Sequence, residues 1–381
     1  MAKRKPLKVL LVEPDYRTSI LPHGLQKIAA YHLAQGDEVK FVKGIVYQNT
    51  LFNKYSPDLI CITSIFTYYG EIVLNTIRAY QEYYPKAEIK VGGVFATLMP
   101  DYVEAQTGIK PHVGLLDSVE DFAPDYTIFP ENKYSILFTS RGCVRKCQFC
   151  AVSKIEKFHL LQKKMWKHDL NPNAKIIRVQ DNNFVATPFE HQTEVVNYLA
   201  TLKKTTIDFN SGIDAIIFKE KHAELYSKLK IKPLRFAFDG MYQDGYVQRA
   251  IELAKKYKLS QEYTIYTLFN FKDTPAELYY RITEIMKAGG GAYPMQYAPL
   301  DDMVRKFVGE NWNEKELKNF NKLIRCDLYA GRPLYLDKNE GIKVFQSIFG
   351  RNDKEFVEIL NSGKKTRMHM NHGNDVAKSI F

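Results

Sequence analysis

Long apolar runs, paired cysteines and tryptophan are all scarce in this sequence. Its 381 residues include 2 tryptophans and 5 cysteines, and its longest apolar runs, such as Val9–Val12 and Leu59–Thr63, have the length of strands. A bilayer span needs roughly 20 apolar residues, so no membrane helix is expected. The basic start at Lys3–Lys5 leads into a short apolar stretch that ends at Glu13, which does not make a secretory signal. We therefore expect a cytoplasmic protein without membrane partners.

Acidic residues are fewer than basic ones. The chain has 43 Asp and Glu against 54 Lys and Arg, which gives a formal net charge of +11 and a pI near 9.1. Such a charge attracts anions and favours a nucleic-acid or phosphorylated partner. The lysines are spread along the chain instead of forming one block, so an ordinary solvated surface is the alternative. The sequence leaves both interpretations open.

The cysteines are odd in number, and three of them crowd into eight residues as Cys143, Cys147 and Cys150. This pattern is poor for a disulfide scaffold and typical of a metal site in a reducing compartment. Cys61 and Cys326 stand alone, and we interpret them as small buried residues because free cysteine is commonly found in cores.

The first part of the chain alternates strand and helix patterns. Strands are expected at 8–13, 39–42, 59–63 and 88–91, and helices at 24–35 and 71–84. Strands separated by helices pair in parallel, which predicts a doubly wound α/β sheet as a domain of residues 1–128.

A second series of alternating strands and helices follows. Its strands are expected at 135–139, 175–179, 207–209, 234–238, 263–269 and 292–297. Six strands with crossing helices predict a partial (β/α)₆ barrel over residues 129–300, with its chemistry at the carboxyl ends of the strands. Residues 301–381 read as helices and form a carboxy-terminal extension to which the sequence assigns no role.

The three crowded cysteines have the spacing Cys-x₃-Cys-x₂-Cys and follow the first barrel strand. Thiolates are the usual ligands of iron–sulfur clusters. Three ligands satisfy three irons of a [4Fe–4S] cubane and leave the fourth iron open to a small molecule with an amino and a carboxylate group. The sequence therefore predicts that Cys143, Cys147 and Cys150 hold such a cluster.

Charges near this motif fit the same interpretation. Arg141, Arg145 and Lys146 would offset the negative charge of thiolates and cluster. The alternative is a structural zinc site, which requires four closed ligands, commonly in two spaced pairs. Only His159, His168 or a remote cysteine could be the fourth ligand, and none has the paired spacing.

The motif, with Phe149 immediately before its third cysteine, resembles that of the radical S-adenosylmethionine superfamily, and the resemblance covers about residues 135–300. It implies that S-adenosylmethionine binds the open iron and is cleaved by one electron to a 5′-deoxyadenosyl radical, with Phe149 against the adenine. It also implies a reductase or flavodoxin-type electron donor and a small-molecule or polymer substrate.

The resemblance extends to polar residues at the ends of later strands. Asp181 and Asn182 occupy the place of the family's Gly-Gly-Glu element, which receives the methionyl amine, although this sequence lacks the glycines and has Asp as the acid. Asn210, Ser211 and Asp239 would reach the ribose or carboxylate. We predict Asp181 and Asp239 as catalytic residues; turn or helix-cap roles are the alternative for every one of these positions.

The first domain resembles the cobalamin-binding domain that precedes the barrel in one subgroup of this superfamily. Glycines after a strand let a backbone approach a nucleotide closely. Gly92 and Gly93 would therefore lie beneath the cofactor tail, and Ser64 would hydrogen-bond to it. The Asp-x-His-x-x-Gly motif is absent, and the sequence leaves open whether cobalamin is bound. The likeness spans residues 6–128 and rests on the segments 21–31, 62–65 and 91–100.

Three functions follow from these patterns. The first is a radical S-adenosylmethionine enzyme, with methyl transfer through cobalamin as its most specific version. The second is a cobalamin-free radical enzyme that performs a rearrangement, an oxidation or another modification. The third is a nucleic-acid-binding protein with a structural metal site. The substrate cannot be read from the sequence.

Overall fold

The computed structural model describes residues 4–18, 21–47, 55–129, 132–156, 161–324 and 338–363. Cys326 and His159 lie outside these ranges. The chain forms two compact units: unit 1 comprises Met1–Asn182 and Pro299–Arg305, and unit 2 comprises Asn183–Ala298 and Lys306–Phe381. These limits differ from the boundaries predicted after residues 128 and 300, which stay predictions.

Unit 1 begins with a parallel sheet, as the sequence predicted. Its strands are β1 (Lys8–Glu13), β2 (Glu38–Lys43), β3 (Leu59–Ser64) and β4 (Glu88–Gly93), in the order β2-β1-β3-β4. All three pairings are parallel, and Val9 lies opposite both Val39 and Leu59. Parallel strands need crossover connections, which the intervening helices supply.

Helices cover both faces of this sheet. They are α1 (His23–Ala34), α2 (Gly70–Tyr83), α3 (Val94–Leu98) and α4 (Pro100–Thr107). Leu10 packs with α2 on one face, whereas Leu11 packs with α1 on the other. Successive side chains of a strand point to opposite faces, so a strand covered on both sides is apolar throughout. The run at the start of the chain is therefore a doubly covered strand.

The rest of unit 1 carries the cysteine motif. Its elements are α5 (Asp117–Glu120), β5 (Tyr134–Leu137), β6 (Ser140–Arg141), α6 (Val152–Ile155), β7 (Leu161–Gln162), a 3₁₀ turn at Trp166–Asp169, and β8 (Ile176–Val179). Strands β5 and β8 pair in parallel, and β6 pairs with β7 in the antiparallel sense. The three cysteines lie between β6 and α6.

Unit 2 continues the alternation of helices and strands. Its elements are α7 (Phe189–Thr201), β9 (Thr206–Phe209), α8 (Glu220–Tyr226), β10 (Leu234–Ala237), α9 (Tyr246–Lys256), β11 (Tyr263–Phe269), α10 (Pro275–Ala288) and β12 (Gly291–Gln296). Strands β10, β11 and β12 form a parallel sheet. Beside it, Ile213 bridges Phe236 in parallel. A mixed α/β fold with parallel strands is thus confirmed, and closure into a (β/α)₆ barrel stays a prediction.

The described part of the carboxy-terminal extension is helical, as expected. It contains α11 (Glu314–Leu323), α12 (Lys338–Phe349) and α13 (Asp353–Ser362). The ring of Tyr279 on α10 lies 5.5 Å from Phe345 and 5.4 Å from Phe356, so these helices pack on α10 through aromatic side chains. None of the helices described combines the length and the apolar character needed to cross a membrane.

Candidate functional site

The three cysteines lie on one loop with a defined backbone. Gly142, at the start of the loop, has a φ of +74°, a conformation that glycine adopts without strain. The Cys150 N–H donates to the Cys147 carbonyl at 3.1 Å, and the Arg145 N–H donates to Cys143 Sγ at 3.4 Å. All three cysteines are outside any disulfide and are partly exposed. The hydrogen bond from the Arg145 N–H orients the sulfur of Cys143 on the loop.

The donor set of this loop fits an iron–sulfur cluster in its chemistry. Three thiols on one short loop match the ligands of a cubane with an open iron, and the partly exposed Phe149 directly precedes Cys150. Within the ranges that the structure describes, no three His, Cys, Asp or Glu side chains converge to hold a metal ion.

A buried ionic network supports the start of the loop. The Arg141 guanidinium donates to both carboxylate oxygens of Glu120, at 2.9 and 3.1 Å, and lies 3.6 Å from Glu156. The Glu156 carboxylate accepts hydrogen bonds from the Gly142 N–H and, at 3.0 Å, from Asn182 Nδ2. Such two-point bonds between charged groups fix geometry as well as adding energy. The network holds the backbone just before the first cysteine.

Asn182 was predicted from its position, whereas Glu120 and Glu156 were missed. Asn182 Nδ2 also lies 3.4 Å from the Gly142 carbonyl, so its side chain contacts the cysteine loop directly. In the sequence, Glu120 lies beyond the last strand expected in the first domain, and Glu156 follows the cysteine motif without a recognisable spacing. The residues that flank each glutamate in the sequence form no motif that would mark it as part of a site.

A second set of buried charges adjoins the first. Lys27 Nζ lies 3.2 Å from Asp169 and donates to the carbonyl of Glu120 at 2.6 Å, while Lys163 Nζ lies 2.6 Å from the other Asp169 oxygen. Burial lowers the pKa of Lys27 to about 8, and the charge of Asp169 opposes that shift. Charges this deep persist because they are paired and hydrogen-bonded. These residues were also missed, since Lys27 and Asp169 are 142 positions apart.

Asp181 lies at the end of β8, beside the strand that leads to the cysteines. One carboxylate oxygen accepts from the Thr139 N–H at 2.8 Å, and the other accepts from the hydroxyls of Thr139 and Ser140 at 2.7 and 2.5 Å. Burial raises the pKa of Asp181, while the bonds from Ser140 and Thr139 act in the opposite direction. The carboxylate is thus engaged by the backbone and side chains around β6. Its predicted contact with a methionyl amine stays a prediction.

The other predicted residues of the barrel belong to unit 2. Asp239 directly follows Phe238 at the end of β10, and burial raises its pKa to about 6 against the opposing charge of Arg281. The Asn210 carbonyl accepts from the Tyr266 hydroxyl at 3.1 Å, and Ser211 is exposed. These residues lie beyond the strand ends, as expected from the sequence, and their contacts with S-adenosylmethionine stay predictions.

The residues predicted to hold cobalamin contact one another. Ser64 Oγ donates to the Gly92 carbonyl at 2.8 Å and accepts from the Ala96 N–H at 3.0 Å. Gly93 has a φ of +101°, and a Cβ there would overlap the Ser64 backbone. A Cβ at Gly92 would meet only the His112 side chain, at 3.8 Å. Gly93 is therefore required because β3 and β4 pack closely at this position. The Ser64 hydroxyl is already hydrogen-bonded to β4 and to α3.

Aromatic side chains lie just beyond this edge. Phe66 is 54% exposed and stacks on Tyr68 at 5.1 Å, and the Arg305 guanidinium lies 3.6 Å from the Tyr68 ring. Phe95, by contrast, is fully buried in the core. Ser64 and Gly93 are engaged by contacts within unit 1, whereas Gly92 has room beside it, so cobalamin binding stays a prediction. We derive no step through cobalamin.

Comparisons with known proteins identify no relative: no family model matches the chain, and no curated protein matches it. The functional argument therefore depends on the cysteine motif and on the contacts that support its loop.

Proposed function

We propose that this chain is a radical S-adenosylmethionine enzyme that holds a [4Fe–4S] cluster on Cys143, Cys147 and Cys150. The observation that carries the proposal is the set of three thiols, and no other cysteines, within one short loop that follows the parallel strand β5 and the two-residue strand β6. Three thiolates leave one iron of a cubane without a protein ligand. By the resemblance described above, that iron binds the amino and carboxylate groups of S-adenosylmethionine.

When bound and reduced, the cluster supplies one electron that splits S-adenosylmethionine into methionine and a 5′-deoxyadenosyl radical, which takes a hydrogen atom from the substrate. The electron comes from a reductase or flavodoxin-type donor. The reaction proposed for this chain ends at that hydrogen abstraction and assigns no methyl relay to cobalamin.

The chain's own residues hold the loop. The Arg145 N–H donates to Cys143 Sγ at 3.4 Å and orients that sulfur. The paired charges of Arg141 and Glu156 fix the Gly142 backbone beside the first cysteine. The Asp181 carboxylate, just after β8, holds the same region because it accepts hydrogen bonds from Thr139 and Ser140. Phe149 offers a partly exposed ring for the adenine.

The test is cluster assembly and cofactor cleavage under anaerobic conditions. Protein reconstituted with iron and sulfide should contain about four of each per chain, and with dithionite it should convert S-adenosylmethionine to 5′-deoxyadenosine. Replacing Cys143, Cys147 or Cys150 by Ala should abolish 5′-deoxyadenosine formation, because each change removes one iron ligand. Chromatography of the nucleoside products gives the measurement.

Cys61→Ala is the matched control. Cys61 lies in β3 at 6% exposure, and burial raises the pKa of its thiol to about 12, so it is an inert core residue that the reaction does not use. This variant should form 5′-deoxyadenosine like the wild type. Tightly bound zinc with no uptake of iron would contradict the proposal and favour a structural metal site.

A further inference from the structure

The turns that lead into the strands of unit 2 are rich in lysine. Residues 202–205, 227–233, 255–262 and 287–290 connect helices α7, α8, α9 and α10 to strands β9, β10, β11 and β12 and include the last residues of α9 and α10. They contain nine lysines against one acidic residue, Glu262. All nine lysines are exposed, and we call the surface that they form the lysine edge.

These four segments lie side by side. Strands β10, β11 and β12 pair in parallel, with Leu234 opposite Tyr263. Ile207 of β9 bridges Ile231 in parallel, just before β10 begins. Parallel strands begin at a common edge of a sheet, and neighbouring strands lie about 4.8 Å apart. The lysine edge therefore extends over about 15 Å at the amino ends of these strands.

Ion pairs neutralise only part of the lysine edge. Three pairs form here: Lys232 with Glu262, Lys256 with Glu220, and Lys287 with Glu284. A lysine near the end of a helix also interacts favourably with the last carbonyls, and Lys255 donates to the Ala288 carbonyl in this way. The side chains of Lys203, Lys204 and Lys230 form no ion pair or hydrogen bond with any residue that the structure describes. These three cations are available to an anion.

Apolar side chains do not contribute to this surface. Within its four segments, all of which the structure describes, the large apolar and aromatic side chains are not exposed; Leu229, Ile231 and Leu259 are at most 7% accessible. Binding to a membrane surface uses apolar side chains that enter the lipid, and binding of single strands uses aromatic rings that stack on bases. The phosphate backbone of a duplex requires only cations. The composition of the lysine edge fits the duplex best.

We propose that the lysine edge binds the phosphate backbone of duplex nucleic acid without reading its sequence. One strand of a duplex presents a phosphate about every 3.4 Å, so about four phosphates fit along 15 Å, roughly the length of the edge. The predicted residues Asn210 and Asp239 lie beyond the opposite ends of the strands, so a bound duplex would leave them accessible. This interaction goes beyond the proposed function and needs no iron.

The first experiment measures binding and its salt dependence on the wild-type protein without iron. The probes are a fluorescein-labelled DNA duplex and an RNA duplex of the same sequence, each of about 20 base pairs, and fluorescence anisotropy is recorded between about 50 and 200 mM salt. Log K should fall linearly with log salt with a slope of about −3 to −4, and a second sequence should give the same values. Binding of one duplex alone would identify the source of the phosphates. Absence of binding by both duplexes at about 50 mM salt would overturn the proposal.

The second experiment removes the unpaired cations. A variant that combines Lys203→Gln, Lys204→Gln and Lys230→Gln should weaken duplex binding about tenfold or more at about 50 mM salt and should make the salt slope shallower by about 3, because three phosphate contacts are lost. The three positions are exposed, so the fold should be retained. An unchanged slope would overturn the proposal.

The matched control removes the same charge from the other edge of unit 2. Lys315, Lys318 and Lys322 are exposed on α11, where Phe320 lies 4.9 Å from Phe269, the last residue of β11. Their combined replacement by Gln should leave binding within about twofold of the wild type. Equal losses in the two variants would mean that net charge alone attracts the duplex and would overturn the proposal.

Anionic vesicles distinguish the remaining partner. Vesicles of phosphatidylserine and phosphatidylcholine should bind the wild-type protein more weakly than the duplex does and should not compete with it. Tighter binding to the vesicles that is lost in the Lys203, Lys204 and Lys230 variant would assign the lysine edge to a membrane and overturn the proposal. None of these measurements depends on the cluster, so their failure would leave the proposed function untouched.

Discussion

In unit 1 the buried Arg141 guanidinium meets the carboxylates of Glu120 and Glu156, whereas in unit 2 the buried Asn183 oxygen meets no donor. The first arrangement is closed: opposite charges satisfy one another and hold the backbone before Cys143. The second leaves one acceptor open, because the Asn183 oxygen accepts no hydrogen bond from any residue that the structure describes. A satisfied polar network makes a structure rigid, whereas a buried acceptor without a donor costs free energy.

The largest expected effect comes from opening the network of unit 1. Arg141→Ala leaves the buried Glu156 carboxylate without its cation, while the half-buried Glu120 keeps Lys163 at 3.8 Å, and should lower the free energy of unfolding by about 3 kcal/mol. Each unit contains one tryptophan, Trp166 in unit 1 and Trp312 in unit 2. Urea unfolding followed by Trp166 fluorescence, in a Trp312→Phe background, gives the measurement.

Lys146→Ala is the control for this change. Lys146 is an exposed cation of the same loop, so its loss should alter stability by no more than about 0.5 kcal/mol. Equal effects of the two substitutions would mean that the network around Arg141 contributes nothing beyond loss of a positive charge.

A smaller effect is expected at the glycines that end β4. Gly93→Ala should destabilise unit 1 by about 2 kcal/mol, because its backbone conformation is nearly restricted to glycine and a Cβ would overlap Ser64. Gly92→Ala should cost less than about 1 kcal/mol, since a Cβ there has room. The same Trp166 unfolding measurement compares the two. Equal stabilities would show that Gly93 is not held by packing and would reopen its predicted role in binding a cofactor.

An effect confined to a range of pH is expected at Asp239 of unit 2. Burial raises the pKa of Asp239 from an ordinary 3.8 to about 6, so the folded chain binds this proton more tightly than the unfolded chain does. Wild-type stability should therefore fall as pH rises from about 4 to about 6, and Asp239→Asn should not share this loss. The variant should be about 1–3 kcal/mol more stable than the wild type above pH 6 and equal to it below pH 4.

This difference is measured by urea unfolding with Trp312 fluorescence in a Trp166→Phe background. Glu252→Gln, at an exposed position of α9, should differ from the wild type by the same small amount at every pH. A constant difference for Asp239→Asn would mean that Asp239 does not titrate in this window, which would weaken the contrast between the two units.

The positions of the main strands and helices of the first domain were predicted from the sequence alone. The apolar run at residues 8–13 became β1, and the helix expected at 71–84 became α2, because strand and helix periodicity are local properties of the chain. The crowding of Cys143, Cys147 and Cys150 on one loop is equally local. The alternation of strands and helices also predicted parallel pairing of the strands. Closure of those strands into a barrel stays a prediction.

Only the tertiary structure decided which polar groups meet. Asp181 could be read as a ligand or a turn residue, and its bonds to Thr139 and Ser140 depend on β8 lying beside β5. Lys27 meets Asp169 across 142 positions, and Asn183 keeps an unsatisfied oxygen that no spacing reveals. Hydrogen bonds and charge pairs act over a few ångströms in space, so a sequence cannot assign them until the chain has brought distant residues together.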